Sequence, residues 1–370
     1  MKNILIIFGG VSQEHDISVI TGVLTLNAVD SSLYNAIPIY IDKNGFWLSG
    51  ESLNDISVYK NIDKVKLKRV TLLCGDNTLY QIDKKLKPVC PVDGAINCLH
   101  GRNGEDGSVA GVLNLSKIAL ASPNIFSSAM SMDKDITKKC LNGFNVKTVN
   151  SVTAVREEYY KDKEKIFNQI ELLGYPVIIK PCSSGSSIGI SVCKNRGELF
   201  SATELAFRFD IKLIAEEFMQ GYYDINCACY GAGGEYVVSE CEKPHGGEFL
   251  SFSDKYQGAK TGSATEFPAK IDISVSQNIK DITKFVYKTF GFSGVVRIDY
   301  LVNGEDVYLN EINSIPGSLG YYLFSNSTKE FSKLLTKLIE ESLLKAKSYY
   351  NCQFSFKSNV LMLGGVKLRK

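Results

Sequence analysis

Residues 294–313, GVVRIDYLVNGEDVYLNEIN, read as two strands folded back on each other at Asn303-Gly304, a dipeptide that favours a tight hairpin turn. Side chains alternate between the faces of a strand, so Glu311 and Asn313 share one face, and Asp299 on the first strand can share it too. The residues between them are apolar, which assigns the other face to a core. Three hard oxygen ligands on one sheet face, leaving sites for phosphate and water, suit magnesium. Taken alone, the same trio also fits a solvated polar face.

Upstream of the hairpin the pattern predicts a helix over 274–290, preceded by a polar loop over 245–266 that carries Lys255-Tyr256. A loop of that length inside a compact domain is usually a lid or disordered. Further back, a strand over 177–179 leads to Lys180 and the run Pro181-Cys182-Ser183-Ser184-Gly185-Ser186-Ser187-Ile188-Gly189, with a second strand over 188–192. Such a small-residue loop offers backbone N–H groups and hydroxyls to phosphate oxygens. It is not a GxxxxGK[ST] loop, because the lysine precedes the glycines, and in isolation a Gly-Ser loop is more often a flexible turn. Lys134, in Ser131-Met132-Asp133-Lys134, opens a charged helix predicted over 132–141, and another helix is predicted over 157–173. A lone surface lysine is usually solvated and gains weight only in company.

The first third alternates strand-like and helix-like segments: strands over 3–8, 36–41 and 94–99, and a helix over 17–26. This pattern predicts an open α/β unit with parallel strands, whose ligands sit beyond the carboxyl ends of the strands. Two loops fall at such ends, Gly9-Gly10-Val11-Ser12-Gln13-Glu14-His15-Asp16 and His100-Gly101-Arg102-Asn103-Gly104-Glu105-Asp106-Gly107. Glu14 and Asp16 would also simply complement a helix dipole, and Glu105-Asp106-Gly107 would serve as an ordinary turn. His100, ending a buried strand, is the stronger candidate. A final helix is predicted from 329 to about 344.

A chain of 370 residues exceeds one compact core. The pattern divides it into an N-terminal open parallel α/β domain over 1–122, a central α+β flap domain over 123–212, and a C-terminal α+β domain with an antiparallel sheet over 213–370. With 42 basic and 40 acidic side chains, no global field argues for nucleic acid or a membrane surface. No segment has the length of a membrane span, and the opening MKNILIIFGG reads as a buried strand rather than a leader. The ten cysteines form no CxxC pair, which speaks against zinc and disulfide frameworks and for reduced thiols in a cytoplasm.

In order, GGVSQEHDIS, LHGRNGEDG, SMDK, IIKPCSSGSSIG, SDKY, GVVRIDY and LNEINSIPGS resemble the D-alanine–D-alanine ligases of the ATP-grasp superfamily over nearly the whole chain. The ending Asn313-Ser314-Ile315-Pro316-Gly317-Ser318-Leu319 is similar to the branch with a short acceptor segment. The resemblance implies the three-domain ATP-grasp fold, with ATP as co-substrate and Mg2+ as metal, Mn2+ being an alternative. By the same resemblance Lys134, Lys180 and Lys255 lie on ATP. Glu216, Glu217 and Phe218 border adenine, and Asp224 stands where the family usually has a ribose-binding glutamate. Asp299, Glu311 and Asn313 are the metal ligands. Glu14 holds the first D-alanine's ammonium near His100, and Ser186 and Tyr256 meet Glu14 in a closing triad. Arg297 and the Gly317 N–H stabilise an oxyanion, and Ser318 and Leu319 take the second substrate's carboxylate.

The implied reaction is ATP-dependent joining of two D-alanines through an acyl phosphate, for peptidoglycan precursor synthesis, with D-serine as the alternative acceptor. Family members often pair as homodimers through the first domain, an assembly the resemblance extends to this chain. It implies no nucleic-acid or membrane partner.

Overall fold

The computed structural model describes residues 1–185, 188–244 and 265–357. Its N-terminal part comprises β1 (Lys2–Gly9), α1 (His15–Ala28), β2 (Tyr34–Ile41), β3 (Trp47–Ser49), β4 (Lys68–Leu73), β5 (Asp76–Ile82), β6 (Leu86–Pro91), β7 (Gly94–Asn97), α2 (Ser108–Leu115) and β8 (Ala119–Leu120). They form one sheet in the order β6-β5-β4-β3-β2-β1-β7-β8. The run Ile4 to Phe8 is apolar at every position because β1 is central and covered on both faces. It pairs in parallel with β2 and β7, as the pattern predicts. From β2 to β6 the sheet turns antiparallel, so the parallel unit is one half of a mixed sheet. That extension carries little apolar alternation, since β6 lies largely exposed and β4 has one buried residue, Val70. Helix α1 crosses β1 closely at Gly22, where a Cβ would come within 2.2 Å of Phe8 Cγ.

The central part holds α3 (Ile125–Met132), α4 (Lys134–Gly143), β9 (Ser151–Val155), α5 (Arg156–Lys161), α6 (Lys163–Glu171), β10 (Val177–Pro181), β11 (Ser191–Cys193), α7 (Arg196–Ala206) and β12 (Lys212–Glu217). The helix expected over 132–141 starts instead at Lys134, because Asp133 caps it by accepting the N–H groups of Asp135 and Ile136 at 3.0 and 3.1 Å. Likewise Asp162 splits the helix expected over 157–173 by accepting from Lys165 N at 3.0 Å. Strands β11-β10-β12-β9 make an antiparallel sheet in which β12 runs on to Glu217.

The third sheet has the order β14-β13-β15-β16, from β13 (Tyr223–Ala232), β14 (Glu235–Val238), β15 (Val295–Asn303) and β16 (Asp306–Asn313). Helix α8 (Ile273–Thr289) covers one face of it through Val275, Ile279, Val286 and Tyr287. Helix α9 (Thr328–Tyr350) buries Phe331, Leu334, Leu335, Leu338 and Ile339, an i, i+3, i+4, i+7, i+8 stripe. That stripe joins one core with Ile4, Ile6 and Phe8 of β1 and with Tyr230 and Val295 of the third sheet. The first and third sheets are therefore locked together by shared apolar burial, and their functional loops face a common cleft.

Candidate active site

A cavity of about 690 Å³ opens where the three sheets meet, a size that suits small-molecule ligands. Its base is the polar face of the β15–β16 hairpin. Alternation brings Arg297, Asp299 and Leu301 to the cavity, and the register sets Asp299 opposite Glu311 and Arg297 opposite Asn313. Carboxylates directly across a strand pair repel. Here cations answer them: Arg297 donates from Nε and Nη2 to the two oxygens of Asp299 at 2.7 and 2.9 Å, and Lys134 Nζ lies 3.3 Å from Glu311 Oε1. Burial pulls the Lys134 pKa down, but Glu311 foremost, with Cys182 and Glu216, more than offsets it, so the ammonium is held above its usual range. The pairing steps from Asp299–Glu311 to Tyr300–Leu309, leaving Asn310 as an extra, bulged residue. The bulge lets neighbours Asn310 and Glu311 both line the cavity, and Asn310 Oδ1 accepts from Lys180 Nζ at 3.4 Å.

The trio predicted to hold a metal is thus gathered on one face. Asn313 donates Nδ2 to Asp299 Oδ2 at 2.9 Å, which leaves its amide oxygen as the ligand atom. Two carboxylates and one amide oxygen fit a hard divalent cation that shares its shell with phosphate. Among the described residues no group of three His, Cys, Asp or Glu has metal-binding geometry.

Toward the central sheet, Lys180 at the end of β10 and Lys134 at the start of α4 face the same cavity. Lys134 Nζ also donates to the Ser184 carbonyl of the flap loop at 2.8 Å. Glu216 on β12 lies between two ammonium groups, with Lys138 Nζ 3.0 Å from Oε1 and Lys180 Nζ 2.6 Å from Oε2. Its carboxyl is buried, a change that alone would raise its pKa, but the two lysines draw it down to about 2. Glu217, Phe218 and Asp224 line the same end, together with the apolar side chains Val149, Ile178, Met219 and Leu301.

On the N-terminal side, Glu14 opens α1 with 9% exposure, and Gly185 of the flap packs on its carboxylate so closely that a Cβ would stand 3.0 Å from Oε2. Ser186, Lys255 and Tyr256, predicted for the flap and lid, lie outside the described residues. His100 is buried, with Nε2 2.9 Å from Thr21 Oγ1, and its ring also bonds to the Ile315 backbone. Burial, aided by the Arg297 charge, depresses the imidazole to about 4, so it is neutral at physiological pH. Thr21 Oγ1 in turn accepts from Ser318 N at 3.0 Å.

Glu105 accepts from Gly101 N at 2.8 Å and, 210 residues away, from Ile315 N at 3.1 Å, with Ser314 Oγ at 3.3 Å. Burial first and the Glu14 charge second push its carboxyl up to about 8. The loop these groups grip is strained: Ser318, Leu319 and Gly320 have φ of 52°, 53° and 59°, left-handed for three residues in a row. Gly317 and Ser318 line the cavity. Leu319 does not join them, since its side chain enters the α9 core and its N–H donates to the Pro316 carbonyl at 2.8 Å. Sequence reasoning missed Glu105 and Asn310, which line the cavity, and Thr21 and Lys138, which bond to residues that do. Glu105 had a signal, its place at a strand-end loop, but that also fits a plain turn. Asn310 had none, because strict alternation turns it away from Glu311.

Two family models match the chain, the D-ala D-ala ligase N-terminus over residues 3–123 and the D-ala D-ala ligase C-terminus over residues 140–342. A D-alanine–D-alanine ligase of Thermosipho melanesiensis is 36% identical over 352 residues, covering 94% of this chain and 95% of the relative. The solved D-alanine–D-alanine ligase of Coxiella burnetii superposes with a TM-score of 0.80 at 25% identity, over 94% of this chain and 96% of that one. A solved D-Ala:D-Ser ligase of Enterococcus faecalis matches with a TM-score of 0.78 at 29% identity, over 92% and 99%.

Proposed function

Because the chain belongs to the D-alanine–D-alanine ligase family, we propose that it joins two D-alanine molecules into D-alanyl-D-alanine, with cleavage of ATP to ADP and phosphate. The observation that carries this reading is one cavity lined by Glu14 and His100 from the first sheet, Lys134 and Lys180 from the central part, and Arg297, Asp299, Glu311 and Asn313 from the third. A carboxylate bound beside Glu14 through its ammonium would then face a nucleotide's terminal phosphate.

Lys134 and Lys180 hold the phosphates and offset the repulsion between the attacking carboxylate and ATP. Asp299, Glu311 and Asn313 would hold magnesium, or manganese, which when bound neutralises phosphate charge. The carboxylate oxygen of the first D-alanine bonds to the γ-phosphorus as the bond to ADP breaks, giving an acyl phosphate. The acceptor amine, having lost a proton, attacks the acyl carbon. Arg297 and the Gly317 N–H meet the oxyanion, and phosphate leaves as the amide forms. Glu14, Ser186 and Tyr256 close the site against water, which would otherwise hydrolyse the acyl phosphate. Ser318 receives the acceptor carboxylate, and Leu319 anchors the loop from the core side.

The dipeptide serves peptidoglycan precursor synthesis in the cytoplasm. Among the described residues no helix is long and apolar enough to cross a membrane. Light scattering of the purified protein tests the homodimer expected from the family. Mass spectrometry of products from ATP, D-alanine and a panel of acceptors that includes D-serine tests the activity. The expected product is D-alanyl-D-alanine; ADP without a dipeptide would overturn the reading, and preferential D-alanyl-D-serine would reassign the acceptor.

A further inference from the structure

Lys138 follows Lys134 by one helical turn on α4, so both ammonium groups leave the same helix face. Lys134 reaches the metal end of the cavity, whereas Lys138 is 4% exposed and does not line the cavity at all. Its Nζ donates to the Val149 carbonyl at 3.1 Å and pairs with Glu216 Oε1 at 3.0 Å. Glu216 does line the cavity, and its other oxygen holds Lys180 at 2.6 Å. The carboxylate is thereby pinned between one ammonium behind it and one in front, and Val149 fixes the rear ammonium.

We infer that Lys138 is a positioning residue for the nucleobase: it holds Glu216 ionised and fixed as a hydrogen-bond acceptor, so that the site prefers a base bearing an exocyclic amino group over one bearing a carbonyl there. Val149, Ile178, Met219 and Leu301 are apolar residues lining the same cavity as Glu216, and apolar lining suits a flat base. A carboxylate at its edge accepts from an amino group and repels a carbonyl oxygen. Without Lys138, Glu216 would turn both oxygens to Lys180, which removes the acceptor from the base and draws Lys180 away from the phosphates. Burial, with the neighbouring charges of Lys180 and Lys134, holds the Lys138 pKa below its usual range although Glu216 opposes that shift, so the ion pair with Glu216 is what favours the charged form here.

The inference rests on the ligase reading, so the parent enzyme is first shown to make dipeptide from ATP; failure there counts against that reading and not against Lys138. Lys138→Met is then compared with Lys138→Arg and with the double variant Lys138→Met/Glu216→Gln, which removes the ammonium together with the charge it neutralises. In Lys138→Met, KM for ATP should rise on the order of tenfold while KM for D-alanine stays put, and the ATP-to-GTP ratio of kcat/KM should fall by a similar factor. Lys138→Arg should recover most of the selectivity. A merely structural role would lower the melting temperature and the active fraction but leave both the KM split and the ATP-to-GTP ratio unmoved, and that result overturns the proposal. Should Lys138→Met fail to fold, Lys138→Gln, which keeps a donor but not the charge, carries the measurement, and an unchanged ATP-to-GTP ratio in it overturns the proposal equally.

Discussion

Replacing Glu105 with alanine should loosen the acceptor loop while sparing the ATP end of the site. The side chain accepts from two backbone N–H groups, those of Gly101 and Ile315, and contacts Ser314 Oγ. Alanine leaves both N–H groups without this partner, and each such orphan costs about 1–3 kcal/mol when water cannot replace it. The serine hydroxyl can rotate to another acceptor and adds little. Against this, removing a carboxyl that burial and Glu14 both disfavour returns part of the loss. A net penalty of about 2–4 kcal/mol falls on a loop that already holds Ser318 and Leu319 at positive φ. Because every 1.4 kcal/mol is tenfold, acceptor KM should rise roughly 30-fold or more. Donor KM and KM for ATP should stay close to parent values. Initial rates over a wide D-alanine range separate the donor and acceptor constants, and a thermal melt confirms that the variant is folded. Glu105→Gln keeps one oxygen, serves only one of the two N–H groups well, and should fall between parent and alanine. A folded alanine variant with unchanged acceptor KM would show that the Glu105 contacts do not position the loop.

Glu311→Gln removes a charge from the proposed metal site and the partner of Lys134, so turnover should drop on the order of 100-fold and need more magnesium; a magnesium titration that overlays the parent's would refute the assignment. The depressed pKa of His100 predicts a pH effect on stability. The unfolded imidazole binds a proton below about 6.5, the folded one only below about 4, so stability falls as pH drops through that window by roughly 1.4 kcal/mol per unit. Urea midpoints across the window should show this slope in the parent and a flatter one in His100→Gln, and equal slopes would exclude His100 as its source. Gly22→Ala should destabilise the N-terminal sheet by about 1–3 kcal/mol, since a methyl there meets the Phe8 ring at 2.2 Å; a melting temperature equal to the parent's would mean that α1 shifts freely.

The most legible parts of the chain were those in which one local rule dominates. Period-two alternation around Asn303-Gly304 placed Asp299, Glu311 and Asn313 on one face, and the continuous apolar run Ile4–Phe8 marked a buried strand. The antiparallel half of the first sheet was not legible, because β3 is three residues long, β6 is mostly exposed and β4 has one buried residue, Val70, so apolar spacing carries no signal there. Helix starts at Lys134 and Lys163 depended on the short side chains of Asp133 and Asp162, which continue a charged pattern as readily as they stop it. At the site, groups that meet ligand through their own residue type stood out. Those that act through another residue did not: Thr21 acts on Ser318, Glu105 on Ile315 and Lys138 on Glu216, each across a distance in sequence that only the packing of sheets and helices closes.

The bulge at Asn310 has a consequence for how the two ends of the site can change. A regular strand shows a ligand every second residue, whereas here consecutive residues serve two different tasks, Asn310 touching the lysine from β10 and Glu311 the lysine from α4. A one-residue insertion or deletion in β16 would therefore disturb both contacts at once, and with them both the phosphate and the cation roles proposed for this hairpin. The two contacts are thus coupled through a single peptide bond.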